Sequence, residues 1–223
     1  MKSRFGIRTI ALVLLAACAL SCRAAPATAS ETAALASMLE RLQSVEADST
    51  LGAAALKQGA KMAGLCANCH GANGYSTQAD TPNLAGQNPR YLLGQMEKFA
   101  DGRRRYEFME GLIKAMTPQE RVSVVLFYSR QKVAPRTTGD AALRAKGKAY
   151  FEQVCFRCHG ADGHGSEDYA RLAGQQPPYM ELALKRYRNN TDGVRNDPNM
   201  ADTTRMMADD DIRAVAAYVA SLP

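Results

Sequence analysis

Apolar side chains recur along most of this chain at the three- and four-residue spacing of amphipathic helices. Two stretches show it most clearly: Val124, Phe127 and Tyr128, and then Val215, Tyr218 and Val219. Such positions lie on one face of a helix and predict burial of that face against a core. No stretch alternates convincingly between apolar and polar residues, as a half-buried strand would. The pattern therefore predicts an all-α fold.

Local signals indicate where several helices begin and end. Pro89 and Pro177 are expected in first turns, where proline is tolerated because that backbone N–H has no partner within the helix. The sequence Thr-Pro-Gln-Glu at 117–120 is a capping box that opens the last helix of the first half. Asp101-Gly102 and Asn189-Asn190 are expected to end the helices that the prolines begin.

The two halves of the chain repeat each other. "CHGANG" at 69–74 recurs as "CHGADG" at 158–163, and "NLAGQ" at 83–87 recurs as "RLAGQ" at 171–175. Two repeats of this size predict tandem domains and not a solenoid. The predicted segments are an extra N-terminal helix at 31–48, a first domain at 50–133, a linker at 134–141 and a second domain at 142–223.

The first 27 residues are predicted to be a signal peptide, outside the mature fold. Basic residues within the first eight positions precede an apolar run at 10–17, which is too short to span a bilayer. Cleavage is expected after Ala25-Pro26-Ala27. Alternatively, "LAAC" ending at Cys18 resembles a bacterial lipoprotein box, which would leave Cys18 lipid-anchored. Either form predicts export from a bacterial cytoplasm to the periplasm.

The net charge argues against a nucleic-acid partner. The formal value is +6, with 28 basic and 22 acidic residues. Because Lys2, Arg4, Arg8 and Arg23 leave with the signal, those 28 basic residues fall to 24 against the same 22 acidic ones. A total near zero in an exported protein gives no electrostatic footprint for nucleic acid.

Four cysteines of the mature chain occur in two copies of the pattern Cys-x-x-Cys-His. The copies comprise Cys66, Cys69 and His70, and then Cys155, Cys158 and His159. This pattern is the signature of covalently attached haem c, in which the histidine binds the iron. A dithiol redox pair needs neither the histidine nor the duplication, and a shared zinc site would join pairs 86 residues apart. We predict two haem c groups.

The remaining iron ligands are expected to include methionine. The chain has three histidines, so they cannot supply two ligands to each of two irons, and His164 is expected in a surface loop. Methionine is a common second ligand and raises the reduction potential. Met109 and Met200 lie eight residues before the cap of the last helix in each half, in an approach expected to be non-helical and able to cross the haem face. Met116 and Met207 immediately precede that cap and are expected to pack in the core.

At these motifs the sequence resembles the diheme cytochrome c4 family of bacteria over about residues 50–223. The resemblance implies two tandem class I cytochrome c domains, each around one haem, with an approximate twofold relation. It implies Met109 and Met200 as the second iron ligands. In the family a proline carbonyl orients the proximal histidine; Pro82 matches, but Ala170 replaces it in the second half, which puts that hydrogen bond in question.

The resemblance implies a periplasmic electron carrier and not an enzyme. Its implied partners are a quinol-oxidising complex (quinol-cytochrome c reductase) and a terminal oxidase, with membrane contact only through such partners or an anchor at Cys18. One alternative is a diheme enzyme, a peroxidase or a thiosulfate-oxidising cytochrome. Another is a haem subunit of a larger dehydrogenase or oxidase complex. Peroxidase chemistry needs an iron that can open, whereas the repeat offers a methionine for each.

Overall fold

A computed structural model describes residues 29–137, 140–189 and 197–223, and every regular element in those ranges is helical. The signal peptide predicted at 1–27, with Cys18, lies outside the described residues. None of the helices within the described ranges is long and apolar enough to cross a membrane. The all-α prediction is confirmed.

Five helices precede the connecting segment. They are α1 (Ala29–Ala47), α2 (Ser49–His70), α3 (Pro89–Ala100), α4 (Glu107–Ala115) and α5 (Pro118–Ser129). The second half contains α6 (Ala141–Tyr150), a π-helical turn (Phe151–Cys155), α7 (Phe156–His159), α8 (Pro177–Asn189), α9 (Pro198–Thr204) and α10 (Asp209–Ser221). Helices α3 and α8 begin at the predicted prolines, and Thr117 and Glu120 form the predicted capping box.

In each half the first and last helices cross in close contact, α2 against α5 and α6 against α10. Glycine makes both crossings possible. A Cβ atom at Gly59 would overlap the carbonyl oxygen of Ser123, and one at Gly147 would overlap that of Ala214. A side chain at either position would force the two helix backbones apart, so each domain depends on one glycine for its central helix pair.

Each half has its own apolar core. The first contains the buried side chains of α5 together with α2 and α3, and the second surrounds Phe151, Ile212 and Val219. Helix α1, Ala29–Ala47, overlaps the extra helix expected at 31–48. It packs against α2, α3 and α5 and buries Met38 and Leu42 in the first core.

The two domains meet at their Leu-Ala-Gly-Gln segments. Val133 lies between them, because a Cβ at either Gly86 or Gly174 would meet one of its two methyl groups. Arg90 forms a salt bridge with Asp168 across the same interface at 2.9 Å. The two segments thus make matched contacts with the two methyl groups of Val133.

Candidate haem-binding sites

One apolar cavity of about 580 Å³ extends into both domains. That volume lies within the range of roughly 300–1,000 Å³ common for ligand pockets. All eight predicted site residues line the cavity: Cys66, Cys69, His70, Met109, Cys155, Cys158, His159 and Met200. The structure thus brings the two motifs and both methionines to one continuous space.

A backbone carbonyl holds each proximal histidine. His70 ends α2, and its Nδ1–H donates to the Pro82 carbonyl at 2.9 Å. His159 Nδ1–H donates to the Ala170 carbonyl at 2.8 Å. The second hydrogen bond, which the loss of proline had put in question, is therefore present, because every residue type supplies a backbone carbonyl. With Nδ1 engaged, Nε2 is the ring nitrogen that remains for a metal.

Burial favours the neutral form of both motif imidazoles. It lowers the pKa of both His70 and His159, against a smaller opposing contribution from the hydrogen bond to the backbone carbonyl. A neutral imidazole is the form that binds iron. The backbone hydrogen bond therefore fixes the orientation of each motif histidine, and burial favours the protonation state that a ligand requires.

The motif cysteines do not resemble a reactive dithiol. All four are free. Burial raises the pKa of Cys66, and it raises that of Cys155 to about 11. A redox-active pair instead has a thiol whose pKa is lowered. Within residues 29–137, 140–189 and 197–223, no group of three or more His, Cys, Asp or Glu side chains is placed so that it could hold a metal ion.

Met109 and Met200 lie in short helices, so the expected non-helical approach is wrong. Met109 is in α4 and Met200 is in α9. The sequence contains the reason: the Asp197 carboxylate caps α9 by accepting from the N–H of Met200 at 3.2 Å. In α4, Glu110 accepts from the N–H of Tyr106 at 3.1 Å and so ties down the start of the helix.

The second methionine pair also lies against the cavity. Met207 is 3% exposed and belongs to the second core, as expected, while Met116 packs partly buried on the first. Both line the cavity as well. Lining alone therefore does not separate the two pairs, and the assignment of Met109 and Met200 as ligands stays a prediction.

Arg104 is a cavity residue that the sequence did not single out. Its guanidinium lies 4.4 Å from the centre of the Phe99 ring and donates to Gln95 at 2.8 Å. It also reaches Tyr179 Oη of the other domain at 3.4 Å. The run of three arginines at 103–105 was the available signal, but only the fold shows that Arg104 and Arg105 line the cavity. His164, by contrast, lies in an exposed loop as expected.

Comparison with known proteins agrees with these sites. The sequence profile of the Cytochrome c family matches residues 56–132 and 144–223, one copy in each domain. A cytochrome c4 of Pseudomonas aeruginosa is 31% identical over 175 residues, which cover 74% of this chain and 87% of the relative. The chain belongs to the cytochrome c4 family. It is accordingly a diheme cytochrome with two covalently attached haem c groups.

Two further relatives extend the comparison. The crystal structure of reduced recombinant cytochrome c4 from Pseudomonas stutzeri superposes with a TM-score of 0.68 at 27% identity, covering 75% of this chain and 98% of that one. A "thiosulfate dehydrogenase electron acceptor" of Thiomonas intermedia is 34% identical over 176 residues, covering 72% of this chain and 80% of the relative. The predicted tandem cytochrome c fold is confirmed.

Proposed function

We propose that this protein is a periplasmic one-electron carrier with a complete haem site in each domain. The proposed iron ligands are His70 and Met109 in the first domain, and His159 and Met200 in the second. The thiols of the two motifs attach the rings: Cys66 and Cys69, and Cys155 and Cys158. When bound, haem c supplies an iron that changes between its ferrous and ferric states.

The observation that carries this proposal is the matched arrangement in the two domains. Each has a buried histidine fixed through Nδ1 by a backbone carbonyl, and each has a cavity-lining methionine eight residues before the cap of its last helix. Histidine with methionine is the ligand pair of electron-transferring cytochromes c, and it keeps the potential high. The chain's own contribution is to fix these ligands and bury the ring.

The proposed partners are a quinol-oxidising complex as donor and a terminal oxidase as acceptor. The Thiomonas intermedia relative is named as an electron acceptor of a dehydrogenase, and this supports a dehydrogenase as another donor. That name describes a protein which receives electrons, so it favours the carrier over a peroxidase or thiosulfate-oxidising enzyme. Membrane contact would then come through these partners or through an anchor at Cys18.

Spectroscopy of the purified full chain tests the carrier against the enzyme. With methionine on both irons, the ferric protein is expected to be low-spin, with a methionine-to-iron charge-transfer band. Carbon monoxide should bind the reduced form poorly, and hydrogen peroxide should be consumed negligibly. A stable high-spin haem with rapid peroxide consumption would contradict the proposal and favour the enzyme.

A further inference from the structure

Two glutamines reach across the domain interface in matching fashion. Gln175 Oε1 accepts from the backbone N–H of Asn83 at 2.8 Å, and Gln175 Nε2 donates to the Asn83 carbonyl at 3.0 Å. Gln87 does the same to Arg171 of the second domain, accepting from its N–H at 2.6 Å and donating to its carbonyl at 2.9 Å. Each glutamine side chain is thus bonded to one residue of the other domain.

The residues they hold immediately follow the carbonyls that orient the histidines. The N–H of Asn83 and the C=O of Pro82 belong to one peptide group, and that C=O accepts from His70 Nδ1–H. Likewise, the N–H of Arg171 and the C=O of Ala170 form one peptide group, which accepts from His159. A continuous chain of hydrogen bonds therefore runs from the glutamine of one domain to the proximal histidine of the other.

The surroundings favour strong coupling along this chain. Gln87 and Gln175 are each 6% exposed and Asn83 is 5% exposed. Hydrogen bonds in such low-dielectric surroundings are electrostatically stronger, and consecutive bonds polarise one another. An acceptor on the N–H of a peptide makes its carbonyl a better acceptor, and a better acceptor on Nδ1–H makes the imidazole a stronger electron donor.

We propose that Gln87 and Gln175 are positioning residues that tune the haem of the opposite domain through its proximal histidine. The inference rests on the proposed function, because it takes His70 and His159 as iron ligands. Loss of the Gln175 acceptor should weaken the Pro82–His70 hydrogen bond, reduce electron donation to the first iron and raise the potential of that haem. Loss of Gln87 should do the same to the haem of the second domain.

A neighbouring glutamine provides a matched control. Gln176 follows Gln175, is 4% exposed and also crosses the interface. It donates to the carbonyl of Gln78 at 2.8 Å and to that of Thr81. Neither carbonyl belongs to the peptide group that orients His70. Gln176→Met therefore removes buried interface hydrogen bonds without touching the proposed relay.

The test is NMR of the reduced, diamagnetic full-length protein with ¹⁵N-labelled histidine, combined with a redox titration. Gln175→Met should move the Nδ1–H resonance of His70 upfield, leave that of His159 in place, and raise the potential of one haem. Gln87→Met should move only His159. Gln175→Glu replaces the neutral amide oxygen that accepts from the Asn83 N–H with a carboxylate oxygen, a stronger acceptor, and gives up the donation to the Asn83 carbonyl. As a carboxylate it should move His70 downfield, opposite to Gln175→Met. Gln176→Met should move neither resonance.

Several outcomes would overturn the relay: no shift in either variant, a shift of the histidine in the glutamine's own domain, or equal shifts of both histidines. If Gln175→Met does not fold, Gln87→Met and Gln175→Glu still decide the question. The wild-type spectrum separates this proposal from the proposed function. Ring-current-shifted Nδ1–H signals from both histidines support ligation whatever the variants do, and their absence contradicts the ligand assignment itself.

Discussion

The two domains deliver the same motif from helices of different regularity. In the first domain, α2 is a continuous α-helix from Ser49 to His70, with seven positions from Gly59 to Cys66. In the second, eight positions separate Gly147 from Cys155, and a π-helical turn at Phe151–Cys155 interrupts the helix. A π turn accommodates one additional residue within a helix. Both domains therefore keep the helix crossing and the haem-binding motif. The helical segment between the crossing glycine and the first motif cysteine differs by one residue, which the π turn accommodates in the second domain.

The domains also stabilise their methionine-bearing segments differently. In the first domain, the Arg121 guanidinium donates at 2.8 Å to the carbonyl of Ile113, near the end of α4. It also forms a largely buried ion pair with Glu97. In the second, Arg188 donates to the carbonyl of Met207 at 2.8 Å and pairs with Asp209, whose side chain is 55% exposed. The same task is thus performed by a buried ion pair in one domain and a solvent-exposed pair in the other.

The largest effect is expected at the helix crossings. Gly59→Val should prevent α2 and α5 from crossing and unfold the first domain, because its side chain would overlap the Ser123 backbone carbonyl, which cannot rotate aside as a side chain can. The protein should then retain one haem, in the second domain, as measured on denatured protein. Gly147→Val should spare the first haem instead.

A control for this comparison lies on the same helix. A Cβ at Gly64 would meet nothing within 4 Å, so Gly64→Ala should keep both haems and stabilise the helix by up to about 1 kcal/mol. If Gly59→Val also keeps both haems, the close crossing is not essential to the first domain.

The next effect separates the methionine pairs. Met109→Ala and Met200→Ala should each abolish the charge-transfer band of one haem and lower its potential, with the other haem changed far less. Visible and near-infrared spectra during a redox titration measure both changes.

Met116→Ala and Met207→Ala are the matched controls, because they repeat at the same offset. They should leave both bands intact and cost only packing, about 2–5 kcal/mol for a fully buried methionine. Met207, which is 3% exposed, should be the more costly of the two. Loss of the band in these variants, with silent Met109 and Met200 changes, would reverse the ligand assignment.

A smaller, selective effect is expected from the buried ion pair. Arg121→Met leaves the Glu97 carboxylate buried without its partner, which should destabilise the first domain by about 3–5 kcal/mol. Arg188→Met removes a pair that is open to solvent and should cost the second domain less, since exposed pairs contribute only about 0–1 kcal/mol. Thermal unfolding followed at each haem would compare them; equal losses would show that burial of the pair is unimportant.

The smallest effect is expected from shortening the π-helical turn. Deleting Glu152, an exposed residue, restores the seven-position spacing between the crossing glycine and the motif found in the first domain. Phe151 then takes the place equivalent to buried Ala63. The deletion should keep two haems and near-normal thermal stability. Loss of the second haem would mean that the π turn itself is required for attachment.

The sequence predicted the helices and the chemistry because both depend on short, local patterns. The prolines at 89 and 177, the capping box at Thr117 and the two Cys-x-x-Cys-His motifs each act within a few residues. The repeat offset also predicted two equivalent domains. These are the features on which the family resemblance and the haem assignment depend.

What the sequence did not predict depends on contacts between distant segments. Gly59 and Gly147 show their role only when the last helix lies against them, and nothing local distinguishes them from Gly64. Gln87 and Gln175 were visible as repeated letters, but their bonds to the opposite domain require the interface. The helical setting of Met109 and Met200 was missed because α4 and α9 are short and are stabilised by the side chains of Glu110 and Asp197.

The most direct measurement of the central claim is haem content by mass spectrometry of the denatured, acid-extracted full-length protein, with peptide mapping. Two haem c groups should remain bound, one on the peptide containing Cys66 and Cys69 and the other on the peptide containing Cys155 and Cys158. A redox titration of the same preparation should show two one-electron steps. Recovery of one haem, attachment at only one motif, or zinc in place of haem would contradict the account.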